Sequence, residues 1–312
     1  MRRLGILFIV LLPQVVWGQC CSGGVPMSNN IGLPNATAGT FQLNLNYDWN
    51  NLQRLKSGSQ TLSDDTRQRE THTLLLESGY AFSDQFSVDL LVPFIQQERT
   101  ISTLNVLDEE ATRGIGDIVI LPKYTFKDAL TIGLGVKLPT GRSNFLNDRQ
   151  IALPADLQPG SGALDGILFL AYERYSTKRP SLGFFANTIF RNTGTNDSYF
   201  ASTSYQFGNE LQTAVGVSDR FLVFGRPMDT SLRMQYRKRG RDFFEGNEFP
   251  GSGGDFIFIN PGIAVPFSQK LSWQVNATVP VYAQVQDTQL SPSFQLNAGF
   301  SFKTNFKSKN SL

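Results

Sequence analysis

Twelve polar side chains carry the chemistry this chain could do: Glu77, Asp89, Asp117, Lys123, Lys137, Asp165, Glu173, Arg191, Glu210, Arg233, Gln235 and Arg237. Each sits in a stretch where apolar residues recur at every second position, and each falls on the opposite face from them. Both signs of charge occur. Such a set can close on itself as ion pairs that fill a narrow interior, or it can line a wet path that selects solutes. Neither role needs a nucleophile, and the signals for catalysis are thin. His72 is the sole histidine, and no Gly-x-Ser-x-Gly elbow exists. Gly114-Ile115-Gly116-Asp117 lacks the third glycine and following helix of a dinucleotide site. No metal-ligand spacing is found, so neither enzymatic activity nor a cofactor is expected.

The elements that position these residues are strands. Residues 293–303 read SFQLNAGFSFK, with Phe294, Leu296, Ala298, Phe300 and Phe302 on one face and Ser293, Gln295, Asn297, Gly299 and Ser301 on the other. Similar alternation marks residues 40–49, 71–83, 85–96, 114–126, 129–141, 162–175, 180–192, 210–218, 230–241, 254–266, 270–283 and 291–303. That predicts an all-β fold, a transmembrane antiparallel barrel of about twelve strands. Residues 254–266 are apolar on both faces, so their register stays open. Tight connections (83–84, 127–128, 176–179, 268–269) alternate with long ones rich in Gly, Asn, Asp or Ser (50–70, 97–113, 142–161, 242–253), which suits short periplasmic turns and long extracellular loops. Residues 199–207 also look like a strand. A thirteenth strand would break the even count and put the 242–253 loop on the short side, so 193–209 is expected to be external.

Composition agrees. The chain has 25 Phe and 12% aromatics, yet a mean hydropathy of −0.18, as a barrel with a polar interior would. Arg2 and Arg3, the apolar run 4–12 and Val16-Trp17-Gly18 read as a signal peptide over 1–18, cleaved before Gln19. Outer-membrane localisation in a Gram-negative cell follows, with the barrel-assembly machinery and outer-membrane lipid as partners. Without Arg2 and Arg3 the 28 basic residues become 26, matching the 26 acidic ones, so a nucleic-acid partner is not expected. The remaining divisions are a periplasmic N-terminal segment (19–38), the barrel (39–303) and a tail (304–312). Cys20 and Cys21 are adjacent, which disfavours a disulfide within the pair; lipidation of Cys20 would need an aliphatic residue where Trp17 stands. Pro93, Pro122, Pro139, Pro261 and Pro280 fall inside proposed strands, where each removes a ladder donor. Pro93 and Pro122, on strands expected to be neighbours, are candidates for a kink that opens the wall.

Several landmarks resemble one group, the outer-membrane transporter-like barrels named for the meta-pathway of phenol degradation. They are Gly114-Ile115-Gly116-Asp117-Ile118 leading to Pro122-Lys123-Tyr124, then residues 133–141 (GLGVKLPTG), Pro159-Gly160-Ser161-Gly162 before Asp165, and Asn260-Pro261-Gly262. The resemblance spans roughly residues 114–302. It implies a barrel related to long-chain fatty-acid channels and passive uptake of small hydrophobic or aromatic compounds. The alternative is a structural or adhesive barrel whose interior is filled by ion pairs and whose loops bind a partner.

Overall fold

The structure, a computed structural model, describes residues 32–306 except 35, 65, 104, 105, 128 and 201. The signal-peptide residues 1–18, Cys20 and Cys21 lie outside the described residues, as does most of the tail. Twelve antiparallel strands form one closed barrel. They are β1 (Thr40–Ser57), β2 (Arg67–Ala81), β3 (Phe86–Thr103), β4 (Ile118–Phe126), β5 (Leu130–Leu138), β6 (Asp165–Tyr175), β7 (Gly183–Asn192), β8 (Glu210–Val223), β9 (Arg226–Arg239), β10 (Gly254–Pro266), β11 (Leu271–Val285) and β12 (Thr288–Asn305). Each pairs with the next, and β1 closes on β12 from Thr40↔Asn305 to Ser57↔Thr288. Closure leaves no sheet edge, which is what lipid demands of a sheet.

The pleat sorts the side chains in the sense opposite to a water-soluble protein. Leu45, Leu90, Leu134, Val215, Leu232 and Val281 are exposed on the outside, while the charged residues that alternate with them are buried. Aromatic rings gather near the turn end, where Tyr80 and Phe82 meet at 4.9 Å and Tyr124 and Phe126 at 4.6 Å. Such girdles mark the interfaces of a membrane barrel. His72 belongs to the other girdle, stacked on Tyr47 with Nδ1 2.7 Å from the phenol oxygen.

Several strands outrun the sequence expectation. β1, β3 and β12 have 18 residues each, more than the 9–11 or so that cross a bilayer. Residues 50–70 and 97–113, expected as loops, are largely strand: β1 runs to Ser57, β2 starts at Arg67, and β3 continues into a hairpin with Val106–Ile115. Above the membrane both faces meet water or loops, so alternation fades while backbone pairing continues. The expected strand 114–126 is broken at Gly116-Asp117. Between Ser218 and Thr230 the strands run on to a two-residue turn, Phe224-Gly225, with φ 50° and 72°, the left-handed pair of a type I′ hairpin. At the loop end, Gln286-Asp287 joins β11 to β12 as a short turn. Residues 193–209 stay out of the barrel: Thr195–Phe200 and Thr203–Gln206 pair with Asp242–Phe244 and Asn247–Phe249 in a separate four-stranded sheet.

Burial resolves Gly254–Pro266: Phe256, Phe258 and Asn260 point inward, and Ile263 is exposed. Phe256 and Phe258 pack on Ala283 and Val285 inside the barrel. The ladder slips at Pro280, between Ile257↔Tyr282 and Phe258↔Pro280, and both Val281 and Tyr282 are exposed there.

Leu134, 69% exposed in the middle of β5, provides a direct check. Leu134→Arg should cost about 2–4 kcal/mol in folding into vesicles, the range for a cation at the bilayer midplane. An equally large loss for Val106→Arg, at the loop-end hairpin, would contradict this placement.

Candidate functional site: the barrel lumen

The lumen is built from inward-facing residues of all the strands, and its two ends differ. Toward the loop end, buried charges form a continuous series. Lys137 Nζ lies 2.6 Å from Asp117 and 3.2 Å from Asp165. Arg191 sits 3.9 Å from Asp165 and 3.2 Å from Glu210, and Arg237 is 2.6 Å from Glu210. Glu210 Oε1 also accepts from Gln212 at 2.8 Å, and Gln212 accepts from Gln235 at 2.9 Å. Lower down, Lys123 pairs with Asp89 at 2.6 Å. Glu77 is buried and takes a long 3.5 Å bond from Asn46. Glu173 stands apart: it accepts from Tyr175 at 2.5 Å near the turn end. Arg233, buried on β9, faces the turn-end half of the lumen.

The polar residues pack around an apolar cluster that is also on the inner face: Leu75, Leu91, Val119, Leu121, Ile167, Phe169 and Ile189. In this sector the lumen is a core and not a pore. Buried ions are tolerable only when fully paired, and Asp117 shows how that is arranged. Its carboxylate accepts from Lys137 Nζ, from the Ser161 N–H at 2.9 Å and hydroxyl at 2.7 Å, and from the Gly141 N–H at 3.0 Å. Gly116-Asp117 can leave the ladder because Pro93, directly across, has no N–H to lose. Pro93 keeps its carbonyl bonded to the Gly116 N–H at 2.8 Å, and its register with Leu75 on β2 is unbroken. Pro122 pairs with Val88, while on its other side Leu121 and Pro122 interrupt the β4–β5 ladder without shifting its register. The break beside Pro93 is backed from inside by the loop carrying Pro159 to Ser161, and both prolines lie at interrupted pairing.

That loop closes the loop end. Residues 153 and 155–161 are buried inside the barrel mouth, with a short 3₁₀ turn at Ala155–Leu157. Arg69 on β2 binds Asp156 through both the carboxylate and the backbone carbonyl, and also Gln97. Thr112 donates to the Leu157 carbonyl, and Tyr199 donates to Leu153 O at 3.0 Å. Gly141 and Gly160 let two backbones touch: a Cβ on Gly160 would lie 2.6 Å from the Gly141 Cα. Beside the loop, Asp242 receives Arg239 at 2.7 Å and 2.8 Å, and the Tyr205 hydroxyl at 2.7 Å. Burial first, and then the neighbouring Asp242 charge, hold the Tyr205 phenol well above its ordinary range, so it stays a donor.

The turn end is more open. One cavity of about 400 Å³ reaches Asn44, Thr131, Phe169, Phe185 and Arg233, and a second of about 350 Å³ shares Pro34, Phe185, Arg233 and Gln274 with it. The expected periplasmic segment 19–38 does not stay outside the barrel in its described part. Leu33 is buried in the lumen, its N–H donating to Asp89 at 2.9 Å and its carbonyl accepting from Lys123 at 2.6 Å. The Asp89–Lys123 pair offers this backbone both an acceptor and a donor, and Leu33 covers apolar wall.

The functional residues that sequence reasoning missed divide in two. Arg69 continues the inner register of Glu77 one two-residue step beyond the expected strand 71–83, and Arg239 shares the inner register of Arg237 within the expected strand 230–241. Asp156, Asp242 and Leu33 lie in irregular segments with no periodic signal.

A scan of family models matches residues 58–298 to the family described as "Putative MetA-pathway of phenol degradation", and the chain belongs to that family. No curated protein matches it. Among solved structures, the COG4313 outer membrane channel from Pseudomonas putida F1 superposes with a TM-score of 0.64 at 15% identity, covering 90% of this chain and 100% of that one. A Pseudomonas aeruginosa FadL homologue (TM-score 0.42, 11% identity, 88% and 95% covered) and the β domain of the Bordetella autotransporter BrkA (0.46, 9%, 84% and 99%) are also among the structural matches.

Removing one partner of a buried pair strands the other. Lys137→Met leaves Asp117 and Asp165 facing each other and should lower stability by about 3–5 kcal/mol; adding Asp165→Asn should recover part of the loss. Urea titration of the folded barrel measures both, and a loss under 1 kcal/mol would show that the Lys137 centre contributes little.

Proposed function

We propose that this protein is an outer-membrane channel for passive uptake of small hydrophobic or aromatic compounds. Its lipid-facing exterior suits insertion by the barrel-assembly machinery after export. The observation that carries the reading is the division of the lumen. The turn-end half holds two cavities of about 400 and 350 Å³ lined by Phe169, Phe185 and polar side chains, while the loop-end half is shut by one inward-folded loop. The tip of that loop is held by the Arg69–Asp156 pair, the Thr112 bond and the Tyr199 bond, and its far end is seated on Asp117 through Ser161. With Ser161 left in place, the tip can swing out without moving the wall or the ion-pair series. The family description, and the COG4313 outer membrane channel among the structural matches, support the same reading. Passage is therefore along the barrel axis, past the loop, and not sideways at Pro93 and Pro122.

The structural-barrel reading draws on the same charges: an interior packed by Asp117, Lys137, Asp165, Arg191, Glu210 and Arg237 could serve only to fill the barrel. Conductance separates the two. In planar bilayers the native chain should give small, intermittent currents. Arg69→Ala with Asp156→Ala removes both charges of the latch together and should raise the open probability at least severalfold. A barrel that folds but stays silent in both forms favours the structural reading.

A further inference from the structure

We propose that the lumen wall holds a monovalent alkali-metal cation, sodium or potassium, at Asp48 on β1. The first observation is a charge without a counter-charge. Asp48 is 4% exposed, and its carboxylate accepts from Gln295 Nε2 at 2.8 Å and 2.9 Å and from the Asn297 amide. Both donors are neutral, and among the described residues no lysine or arginine pairs with it. The other buried acids of the lumen are answered differently. Asp89, Asp117, Asp165, Glu210 and Asp242 each have a lysine or arginine at 3.2 Å or closer, and Glu77 lies in the field of Lys123. Two neutral amides offset a buried carboxylate only in part.

A second observation, independent of the charge, points to the same place. Two rows of inward-facing residues cross the wall from β2 through β1 to β12. One is Thr73, Asp48 and Asn297; the next toward the loop end is Thr71, Asn50 and Gln295. Four of the six carry an enclosed side-chain oxygen that meets no hydrogen-bond partner: Thr73 Oγ1, Asn297 Oδ1, Thr71 Oγ1 and Asn50 Oδ1. Thr73 is 1% exposed and Asn297 8%. Neighbours in a row stand about 5 Å apart and the rows about 7 Å, so an ion seated between them is within side-chain reach of both. A carboxylate ringed by neutral oxygens suits a hard cation, the oxygens standing in for its hydration shell. One carboxylate neutralises one positive charge. A divalent ion would leave excess charge in a buried place, and calcium sites ordinarily draw on more carboxylates. The oxygens come from three strands, so no ligand spacing marks them along the chain. None of the six residues lines either turn-end cavity, and the site stands whether or not solutes cross the barrel.

The test uses the folded full-length barrel in vesicles, unfolded by urea in potassium chloride, sodium chloride or choline chloride at equal ionic strength. A ligand that binds only the folded state raises the midpoint with its concentration. The native midpoint should rise with potassium or sodium relative to choline, whose methyl groups keep oxygens from its charge. Asp48→Asn keeps the shape and removes the charge, so it should cancel that rise. Thr73→Val keeps the carboxylate and puts a methyl group where one oxygen was, so at least threefold more salt should be needed for half of the native rise. Should Asp48→Asn fail to fold, Thr73→Val decides alone. A native midpoint equal in all three salts, or a rise of native size and salt dependence in either variant, overturns the cation site and leaves Asp48 as a neutral acid held by its amide neighbours. The channel reading is untouched by that result, since conductance decides it.

Discussion

Every other feature of this molecule depends on pairing between the first and last barrel strands. In hydrocarbon an unpaired amide costs several kcal/mol, so a sheet there must end on itself. β1 and β12 meet over their whole lengths, from Thr40↔Asn305 to Ser57↔Thr288, with the irregularities confined to Asn51, Leu52 and Arg54 near the loop end. Once the ring is closed, the pleat decides where each residue goes. Leu, Val and Phe have lipid to face, and Asp, Lys and Arg have nowhere to go but inward. The interior charges are a consequence of closure before they are anything else.

A narrow lumen filled with charge then needs internal accounting of its own. Lys137 with Asp117 and Asp165, and Glu210 with Arg191 and Arg237, neutralise one another. Desolvation makes each ion expensive alone, so the series fixes the relative positions of β4 to β9 and gives the inward loop a fixed seat through Ser161. The turn end is less filled, with cavities of about 400 and 350 Å³. The asymmetry between a packed loop end and a hollow turn end is the physical basis for reading the barrel as a gated channel.

Much of this was legible in the sequence, because lipid enforces alternation strictly. Phe294 to Phe302, or Leu130 to Leu138, admit one face for lipid, and the twelve-strand count followed from turn lengths. Legibility failed wherever lipid stopped being the solvent. Residues 50–57 and 97–103 are strand above the membrane, where alternation carries no information. Residues 254–266 read as apolar on both sides because Phe256 and Phe258 fill the lumen beside Ala283 and Val285. The missing donor of Pro93 faces the point at which Gly116-Asp117 turns inward, a pairing across strands that spacing along the chain does not show. The loop clasp at Asp156, the Asp242 centre and Leu33 in the lumen join residues far apart in the chain, and no spacing rule connects them. Gly141 and Gly160, which in the sequence stood only as family landmarks, sit where two backbones touch.

The central claim is that small aromatic solutes cross the outer membrane through this lumen. Its most direct measurement is the initial rate of radiolabelled toluene accumulation in cells with an intact lipopolysaccharide barrier, comparing the native barrel with a form whose loop is tethered shut by a reducible bis-methanethiosulfonate cross-link between cysteines placed at Arg69 and Asp156. The account predicts a rate that rises with the amount of native barrel and falls to background in the tethered form until reductant is added. Equal rates with and without folded barrel, or no response to the tether, would contradict it.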